Sequence, residues 1–297
     1  MTVAQKGARR RSSVAGARGW TLLFLAPVTI GIAVVYYAAL QGIALGFTDW
    51  NVISDPEVIG LQNYQTLVND PRFWTAIRNT MGIVLITVPV KLAIGLVFAL
   101  ALNRVIRFGN FFRLALFFPF TCSVVAVSFI WKYFYDADGA LNRIREAFGW
   151  GKIAWMDPSI ALWSVSAMIV WSGVGYIALL FLSGLQSIPR QYYEAAIIDG
   201  AGAFARFRHI TLPLLTPTTF FLVVISLIAA FQTFGEVYIL VGPLDSTLTL
   251  MSYIYERAFA GFEMGYASAI SAVLIGLILI VTLVQLWMQR RWVSYDN

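Results

Sequence analysis

Six long apolar segments constrain the fold of this chain more than any other feature of its sequence. As helices rising about 1.5 Å per residue, segments of this length can cross a hydrocarbon layer about 30 Å thick. The segments are continuous rather than alternating, which argues against membrane β-strands. We therefore predict an all-α integral membrane protein with six transmembrane helices, at about residues 20–47, 79–102, 111–134, 159–183, 218–242 and 267–288.

The composition agrees with a membrane protein. Hydrophobic residues make up 59% of the 297 residues and charged residues only 12%, whereas charged residues are about 25% of an average soluble domain. A net charge of +6 can attract nucleic acid, but a basic bias in cytoplasmic loops explains it better in a chain of this kind. We expect the lipid bilayer, and no nucleic acid, as a partner.

The positions of Lys and Arg predict the orientation. If both termini are cytoplasmic, the inner segments carry 13 of the 21 basic residues and the outer loops carry six, while Lys91 and Lys132 lie within spans. Most acidic residues fall on the outer side. The positive-inside rule therefore predicts a multi-pass protein of a prokaryotic cytoplasmic membrane, with its N and C termini inside.

The spans form one predicted membrane domain, residues 19–297, without an internal repeat of 20–50 residues. Residues 1–18 are basic and rich in Gly, Ala and Ser, and they are predicted to be a disordered cytoplasmic tail. Three arginines before an apolar run resemble the start of a signal peptide. The run from Trp20 to Phe47 is too long for one, so we interpret it as an uncleaved first span.

The sequence contains no recognisable catalytic motif. It has no G-x-x-x-x-G-K-[ST] and no G-x-S-x-G pattern, and it has one histidine, His209, and one cysteine, Cys122. A His/Cys zinc site and a paired nucleophile and base need more such groups. We predict no catalytic residue, no metal site and no cofactor bound by this chain.

One polar segment, "YYEAAIIDGAGAFARFRHITLPLL", interrupts the apolar sequence at residues 192–215, within a loop at about 185–215. Ser187 can cap a first short helix, and Gly200 can end it, because glycine readily adopts the left-handed conformation found after helices. A second short helix then leads to the next span. The sequence thus predicts a helix-turn-helix loop on the cytoplasmic side.

The first of these two helices is predicted to be amphipathic. Tyr193, Ala196, Ile197 and Gly200 share one face by their spacing. A helix of this kind can lie on lipid headgroups or in the groove of a cytosolic protein. The pattern alone leaves both alternatives open.

The same loop carries the pattern E-A-A-x3-G-x9-I-x-L-P, at Glu194, Ala195, Ala196, Gly200, Ile210, Leu212 and Pro213. This pattern resembles the EAA signature of permease subunits of binding-protein-dependent ABC importers. Asp199 and the segment "ITLPLLTP" resemble the carbohydrate-importer branch, of the maltose and glycerol-3-phosphate type. The resemblance covers roughly residues 20–290, although "VGPLDST" lacks the doubled glycine frequent in the family.

The resemblance implies the ABC importer permease fold, with the loop acting as a coupling helix that docks on an ATPase subunit. The implied contacts are the seven motif residues together with Asp199. The implied partners are a second, homologous permease chain in a heterodimer, two ABC ATPase subunits that bind ATP and Mg, and an extracytoplasmic solute-binding protein. The chain itself would be non-catalytic, and the substrate would be a sugar or a polyol phosphate.

Polar residues inside spans are candidates for the substrate pathway, because they are costly in lipid. We predict Lys91, Gln232, Glu236 and Tyr238 for this role. Two other classes of function remain open from the residues alone. One is a secondary, ion-coupled transporter, and the other is an integral-membrane enzyme with a catalytic cytoplasmic loop around Glu194, Asp199 and His209.

Overall fold

The protein was analysed as a computed structural model, which describes residues 5–104 and 108–292, with side chains for residues 24–104 and 108–289. A two-stranded antiparallel sheet pairs β1 (Thr48–Asp49) with β2 (Glu57–Val58). The α-helices in the first half of the described chain are α1 Gln5–Leu45, α2 Gln62–Val68, α3 Pro71–Leu102, α4 Gly109–Thr121, α5 Val124–Tyr135, α6 Ala140–Ala147 and α7 Ala161–Ser187. Those in the second half are α8 Arg190–Ile198, α9 Ala203–Arg206, α10 Leu212–Leu214, α11 Thr216–Phe231, α12 Gly235–Ile239, α13 Leu250–Tyr255 and α14 Met264–Trp292, with π-helical turns at Phe207–Thr211 and Glu256–Ala260 and a 3-10 turn at Pro243–Asp245.

The apolar helices confirm the prediction of a membrane-spanning helical fold. In the described residues, five helical segments are long and apolar enough to cross a membrane, and a sixth is present if the bent pair at residues 109–147 is one span. Many large apolar side chains on α1 and α14 are exposed, including Phe24 and Trp287. An exposed apolar surface of this extent fits contact with lipid or with another membrane subunit.

The predicted third span, at residues 111–134, is not a single straight helix. Helices α4 and α5 meet at an angle of 95°, and Cys122 and Ser123 between them have extended backbones. Pro119 lies within α4, three residues before the break, where it removes one helical hydrogen bond. A break at membrane depth is tolerated where it is buried in protein or lines a cavity.

The fifth span is also interrupted. Helix α11 ends at Phe231, and the short helix α12 begins only at Gly235. An ideal Cβ on Gly235 would lie 3.0 Å from Val124 Cγ1, at the start of α5. The two breaks are therefore in contact with each other.

The predicted disordered tail also differs from the structure. Helix α1 begins at Gln5, so residues 5–18 continue the first span as a helix. This segment contains Ala, Arg and Gln, which are good helix formers, and no proline. Residues 1–4 lie outside the described part of the chain.

Helices α3 and α7 run parallel and form the centre of the molecule. Gly82 faces Leu162, and Gly95 faces Ile177, where an added Cβ would be only 2.7 Å from the isoleucine Cγ2. Small residues let two membrane helices approach this closely. The C-termini of α3 and α7 therefore lie at one end of the molecule, which we call the loop end. The N-terminus of α3, with Asp70 and Arg72, lies at the other end, which we call the network end.

Candidate functional site

The first site is the polar loop at residues 189–215. Helix α8 ends where Gly200 adopts a φ of +80°. The Ala201 N–H donates to the Ala196 carbonyl at 2.8 Å, and the Gly200 N–H donates to the Ile197 carbonyl at 3.0 Å. This pair of hydrogen bonds is a Schellman motif, which satisfies carbonyls at the end of a helix. The helix end predicted at Gly200 is therefore present.

Other details of the loop differ from the prediction. Ser187 does not cap α8, because its hydroxyl donates to the Gly184 carbonyl at 2.8 Å. The second helix is only four residues long, and it continues as a π-helical turn. The Tyr193 hydroxyl and the Thr211 hydroxyl lie 3.0 Å apart and join α8 to that turn. The loop is therefore fastened internally by a hydrogen bond that the sequence does not reveal.

The predicted apolar face of α8 is divided. Tyr193 and Ala196 are half-buried, but Ile197 and Gly200 are exposed. The side chain of Ile198 is 86% exposed. The helix thus rests on Tyr193 and Ala196 and presents a second apolar surface outwards.

The outward surface of the loop combines acid and apolar groups. Glu194, Ala195 and Asp199 are exposed beside the two isoleucines, and Phe204 on α9 is 74% exposed. In the described part of the chain, neither carboxylate has a hydrogen-bond or ion-pair partner for its side chain. Exposed apolar residues next to unpaired acids are typical of surfaces that dock a complementary partner.

The remaining motif residues lie where the loop joins the next span. Ile210 and Pro213 are half-buried, and Leu212 is exposed. Thr211, between them, is buried. His209 is exposed, and its Nδ1 lies 3.0 Å from the Ala205 carbonyl, within its own turn of helix. The loop thus has a positioned backbone and no assembled catalytic group among the described residues.

The second site is a cavity of about 180 Å³ between α3, α7 and the two helix breaks. Lys91 and Glu236, both predicted for the substrate pathway, line this cavity together. Lys91 is buried and Glu236 is half-buried. They interact electrostatically, although in the described chain they are not joined by an ion pair within 4.0 Å.

The other two pathway candidates lie elsewhere. Gln232 is exposed at the end of α11. Tyr238 lines a separate cavity of about 200 Å³, together with Ser252, Tyr255 and Glu256. The structure therefore brings together one pair of the four predicted residues and separates the rest.

A network of charged and aromatic residues lies at the network end, and its pairing was not predicted. The Arg72 guanidinium contacts Asp245 at 2.7 Å and Glu256 at 2.6 Å. Asp70 accepts hydrogen bonds from Tyr253 and, at 2.7 Å, from Tyr266. These contacts join the start of α3 to the segments after α12. The sequence shows the charges on one predicted side, but partners more than 170 residues apart cannot be paired from spacing.

The network changes the acidity of its carboxyl groups. Hydrogen bonds from Arg72 hold the pKa of Asp245 below its usual value. Burial alone would raise the pKa of Asp70, but hydrogen bonds from Tyr253, Tyr266 and backbone N–H groups outweigh that effect and lower it. Both groups therefore favour the ionised, paired form.

Comparisons with known proteins agree with the fold. A family model described as the binding-protein-dependent transport system inner membrane component matches residues 91–294. The probable ABC transporter permease protein PH1215 of Pyrococcus horikoshii is 34% identical over 276 residues, which cover 90% of this chain and 94% of that protein. The sulfoquinovosyl glycerol transport system permease protein SmoG of Agrobacterium fabrum is 36% identical over 279 residues, which cover 91% of this chain and 90% of that protein.

A solved structure has the same fold. A chain of a bacterial ABC transporter involved in the import of the acidic polysaccharide alginate matches with a TM-score of 0.84 and 23% identity, over 96% of this chain and 100% of that chain. That transporter in complex with an alginate pentasaccharide-bound periplasmic protein matches with a TM-score of 0.83 and 22% identity, over 95% of this chain and 98% of that chain. The chain therefore belongs to the inner-membrane permease family of binding-protein-dependent ABC transporters, in its carbohydrate-uptake branch.

Proposed function

We propose that this chain forms half of the translocation pathway of an ATP-driven importer for a sugar or a polyol phosphate. A second, homologous permease chain forms the other half. Two ABC ATPase subunits bind ATP and Mg on the cytoplasmic side, and an extracytoplasmic solute-binding protein delivers the substrate. Both termini and the loop end then face the cytoplasm, which agrees with the excess of Lys and Arg there.

The outward surface of the polar loop is the observation that carries this proposal. Glu194, Ala195 and Ile198 project from a short helix whose other side is held by Tyr193. A helix that is fixed on one side and free on the other suits docking in a groove. The motif residues Ala196, Gly200, Ile210, Leu212 and Pro213 position this surface, and Asp199 lies beside it.

The ATPase subunits would act on the pathway through this contact. In this mechanism, closure of the two ATPase subunits displaces both docked loops. The permease responds only if it has two conformations in which the docked loop makes different contacts. Lys91 and Glu236 form the charged part of the pathway in this proposal. Gln232 and Tyr238 are expected to contact substrate at other stages of its passage.

The proposal is tested by purifying the complex from membranes that contain this chain and the products of neighbouring transport genes. ATPase subunits should copurify, and ATP hydrolysis should rise when the solute-binding protein is added with its sugar. The screen should include maltose, lactose, glycerol 3-phosphate and an alginate disaccharide. A purified complex without an ATPase subunit would overturn the proposal.

Variants of the loop test the docking surface directly. Glu194→Lys reverses a charge on the exposed surface and should reduce copurification of ATPase subunits and sugar-stimulated hydrolysis by tenfold or more. Glu194→Gln should have a smaller effect, because it keeps the shape of the side chain. Glu57→Lys is the matched control, since Glu57 is exposed on β2, remote from the loop. Equal loss in both Lys variants would contradict the assignment.

A further inference from the structure

Helix α6 presents an apolar surface that the described part of the chain leaves largely uncovered. Its residues Ile144, Phe148 and Trp150 are 55%, 70% and 59% exposed. Ile144 and Phe148 are four residues apart and therefore lie on the same side of the helix, and the rings of Phe148 and Trp150 lie 5.7 Å apart. Large apolar side chains that are exposed together in this way mark an interaction surface. We call these three residues the α6 patch.

The inner side of α6 holds the patch in a fixed position through the fully buried side chain of Asn142. The Asn142 amide donates to the Ala137 carbonyl at 3.1 Å and to the Ile153 carbonyl at 3.0 Å. Its oxygen accepts from the Trp155 indole N–H at 3.2 Å. These hydrogen bonds join residues 137–155 into one unit, so the α6 patch is a preformed surface.

The unit lies at the network end, between the end of α5 and the start of α7. The hydroxyl of Tyr135, the last residue of α5, donates to the Ser164 carbonyl at 2.6 Å, and the Ser164 hydroxyl donates to the Trp155 carbonyl at 2.7 Å. Ser164 is in the first turn of α7, which has 27 residues and is therefore about 40 Å long. That length matches a bilayer with both of its headgroup layers, about 40–45 Å. The first turn of α7, and the unit bonded to it, therefore lie at the depth of the lipid headgroups.

The residues around the patch favour a lipid surface as its partner. Tyr133 in the last turn of α5 and Trp163 in the first turn of α7 are also exposed, so aromatic side chains stand on both adjoining spans at this end. Tyrosine and tryptophan are enriched at headgroup depth, because their rings are apolar and carry a polar O–H or N–H group. Arg143 on α6 is exposed. Within the described chain its guanidinium donates one hydrogen bond, from Nε to the Asp138 carbonyl at 2.8 Å, and its terminal N–H groups are available to lipid phosphate.

We propose that the α6 patch is inserted into the headgroup layer of the bilayer. Its three apolar side chains point toward the acyl chains, and Arg143 binds lipid phosphate, as in other amphipathic helices that lie in a membrane surface. With the loop end in the cytoplasm, this layer belongs to the outer leaflet. The contact anchors the end of α5 that is opposite its bend with α4.

Spin labels attached to the patch measure its depth in the bilayer. Cys122→Ser removes the only cysteine of the chain, and a nitroxide is then attached to Phe148→Cys or, in a second variant, to Ile144→Cys. Asp55→Cys is the matched control, because Asp55 is exposed in the loop before β2. The full complex is placed in nanodiscs of phosphatidylcholine and phosphatidylglycerol. Cys122→Ser without a new cysteine gives the background labelling.

A patch in the headgroup layer predicts a specific pattern of collisions. Power saturation compares the collision rate of each nitroxide with oxygen, which concentrates among acyl chains, and with nickel ethylenediaminediacetate, which stays in water. The ratio of the oxygen rate to the nickel rate should be severalfold higher at Phe148→Cys and Ile144→Cys than at Asp55→Cys. Addition of the solute-binding protein should leave the ratio at both patch positions unchanged.

Three results would overturn the inference. One is the same ratio at Phe148→Cys, Ile144→Cys and Asp55→Cys, which would place the patch in water. Another is a patch label that neither reagent reaches, which would assign the patch to the second permease chain. The third is a loss of collisions with oxygen when the solute-binding protein is added, which would assign the patch to that protein. Each of these results leaves the proposed importer function intact, whereas a complex without ATPase subunits removes that function without changing the depth of the labels.

Discussion

Replacement of Gly200 by alanine isolates the contribution of one backbone conformation to coupling. Gly200 has a φ of +80°, and no heavy atom lies within 4 Å of the position that an added Cβ would occupy. The alanine therefore meets no steric obstacle from its neighbours, and its cost is the left-handed backbone itself, about 1–2 kcal/mol. A cost of this size changes the population of the intact helix end by a factor of about 5–30.

Gly202 is the matched control, two residues away in the same turn. Its φ is −68°, which any residue can adopt, and an added Cβ would also meet nothing within 4 Å. Gly202→Ala should therefore change stability by less than about 0.5 kcal/mol. Gly200→Asn should fall between the two alanine variants, because asparagine tolerates the left-handed region better than alanine.

Gly200→Pro should be the most damaging substitution. Proline holds φ near about −65° and lacks the N–H that Gly200 donates to Ile197. The assay is sugar-stimulated ATP hydrolysis by the complete complex, with copurified ATPase as a second readout. The expected order of activity is unmodified and Gly202→Ala, then Gly200→Asn, then Gly200→Ala, then Gly200→Pro. The reasoning is refuted if Gly200→Ala and Gly202→Ala have the same activity.

Three further predictions concern stability. Asp245→Asn should lower the melting temperature at pH 7 and make the melting temperature less dependent on pH, as melting curves from pH 3 to 7 can show. The pKa of Asp245 is depressed in the folded protein, so the stability that Asp245 contributes is complete above its unfolded pKa of about 4 and is lost as the pH falls through its folded pKa. Asn142 is fully buried; it donates a hydrogen bond to the Ile153 carbonyl at 3.0 Å and accepts one from the Ile153 N–H at 3.0 Å. Asn142→Asp removes the donor and should lower the free energy of unfolding by about 1–3 kcal/mol, which should appear as faster proteolysis of residues 136–160 than in the unmodified chain. Gly175→Ala would place a Cβ 1.7 Å from the Leu116 carbonyl oxygen, so it should lower the free energy of unfolding by at least about 1–3 kcal/mol and reduce the yield of folded protein. Gly276→Ala is the control, because an added Cβ there would meet no heavy atom within 4 Å and should leave the yield unchanged.

The spans and the loop could be predicted because their signals are local. Continuous apolar segments identify membrane helices directly, and Gly200 marks a helix end by its own conformational freedom. Each of these features depends on residues that are near one another in the sequence.

The features that were missed depend on distant residues or on competing local signals. The apolar run around α4 and α5 is long enough for one span, so hydropathy alone does not show the bend between these two helices. Arg72 finds its partners at Asp245 and Glu256 only after the helices have packed. Tyr193, predicted to share one apolar face with Ile197, hydrogen-bonds to Thr211, whereas Ile197 is exposed.

The loop and the cavity are connected by one short helix. Helix α11 begins at Thr216, directly after the loop, and spans 16 residues, which is about 24 Å at the α-helical rise. It ends at the break before Glu236. Lys91, by contrast, stands on α3, which packs closely against α7 through Gly95. Helix α11 also packs against α3, so in the proposed mechanism a displacement of the loop changes the distance between Lys91 and Glu236 only if the break before Glu236 lets α12 move separately from α11.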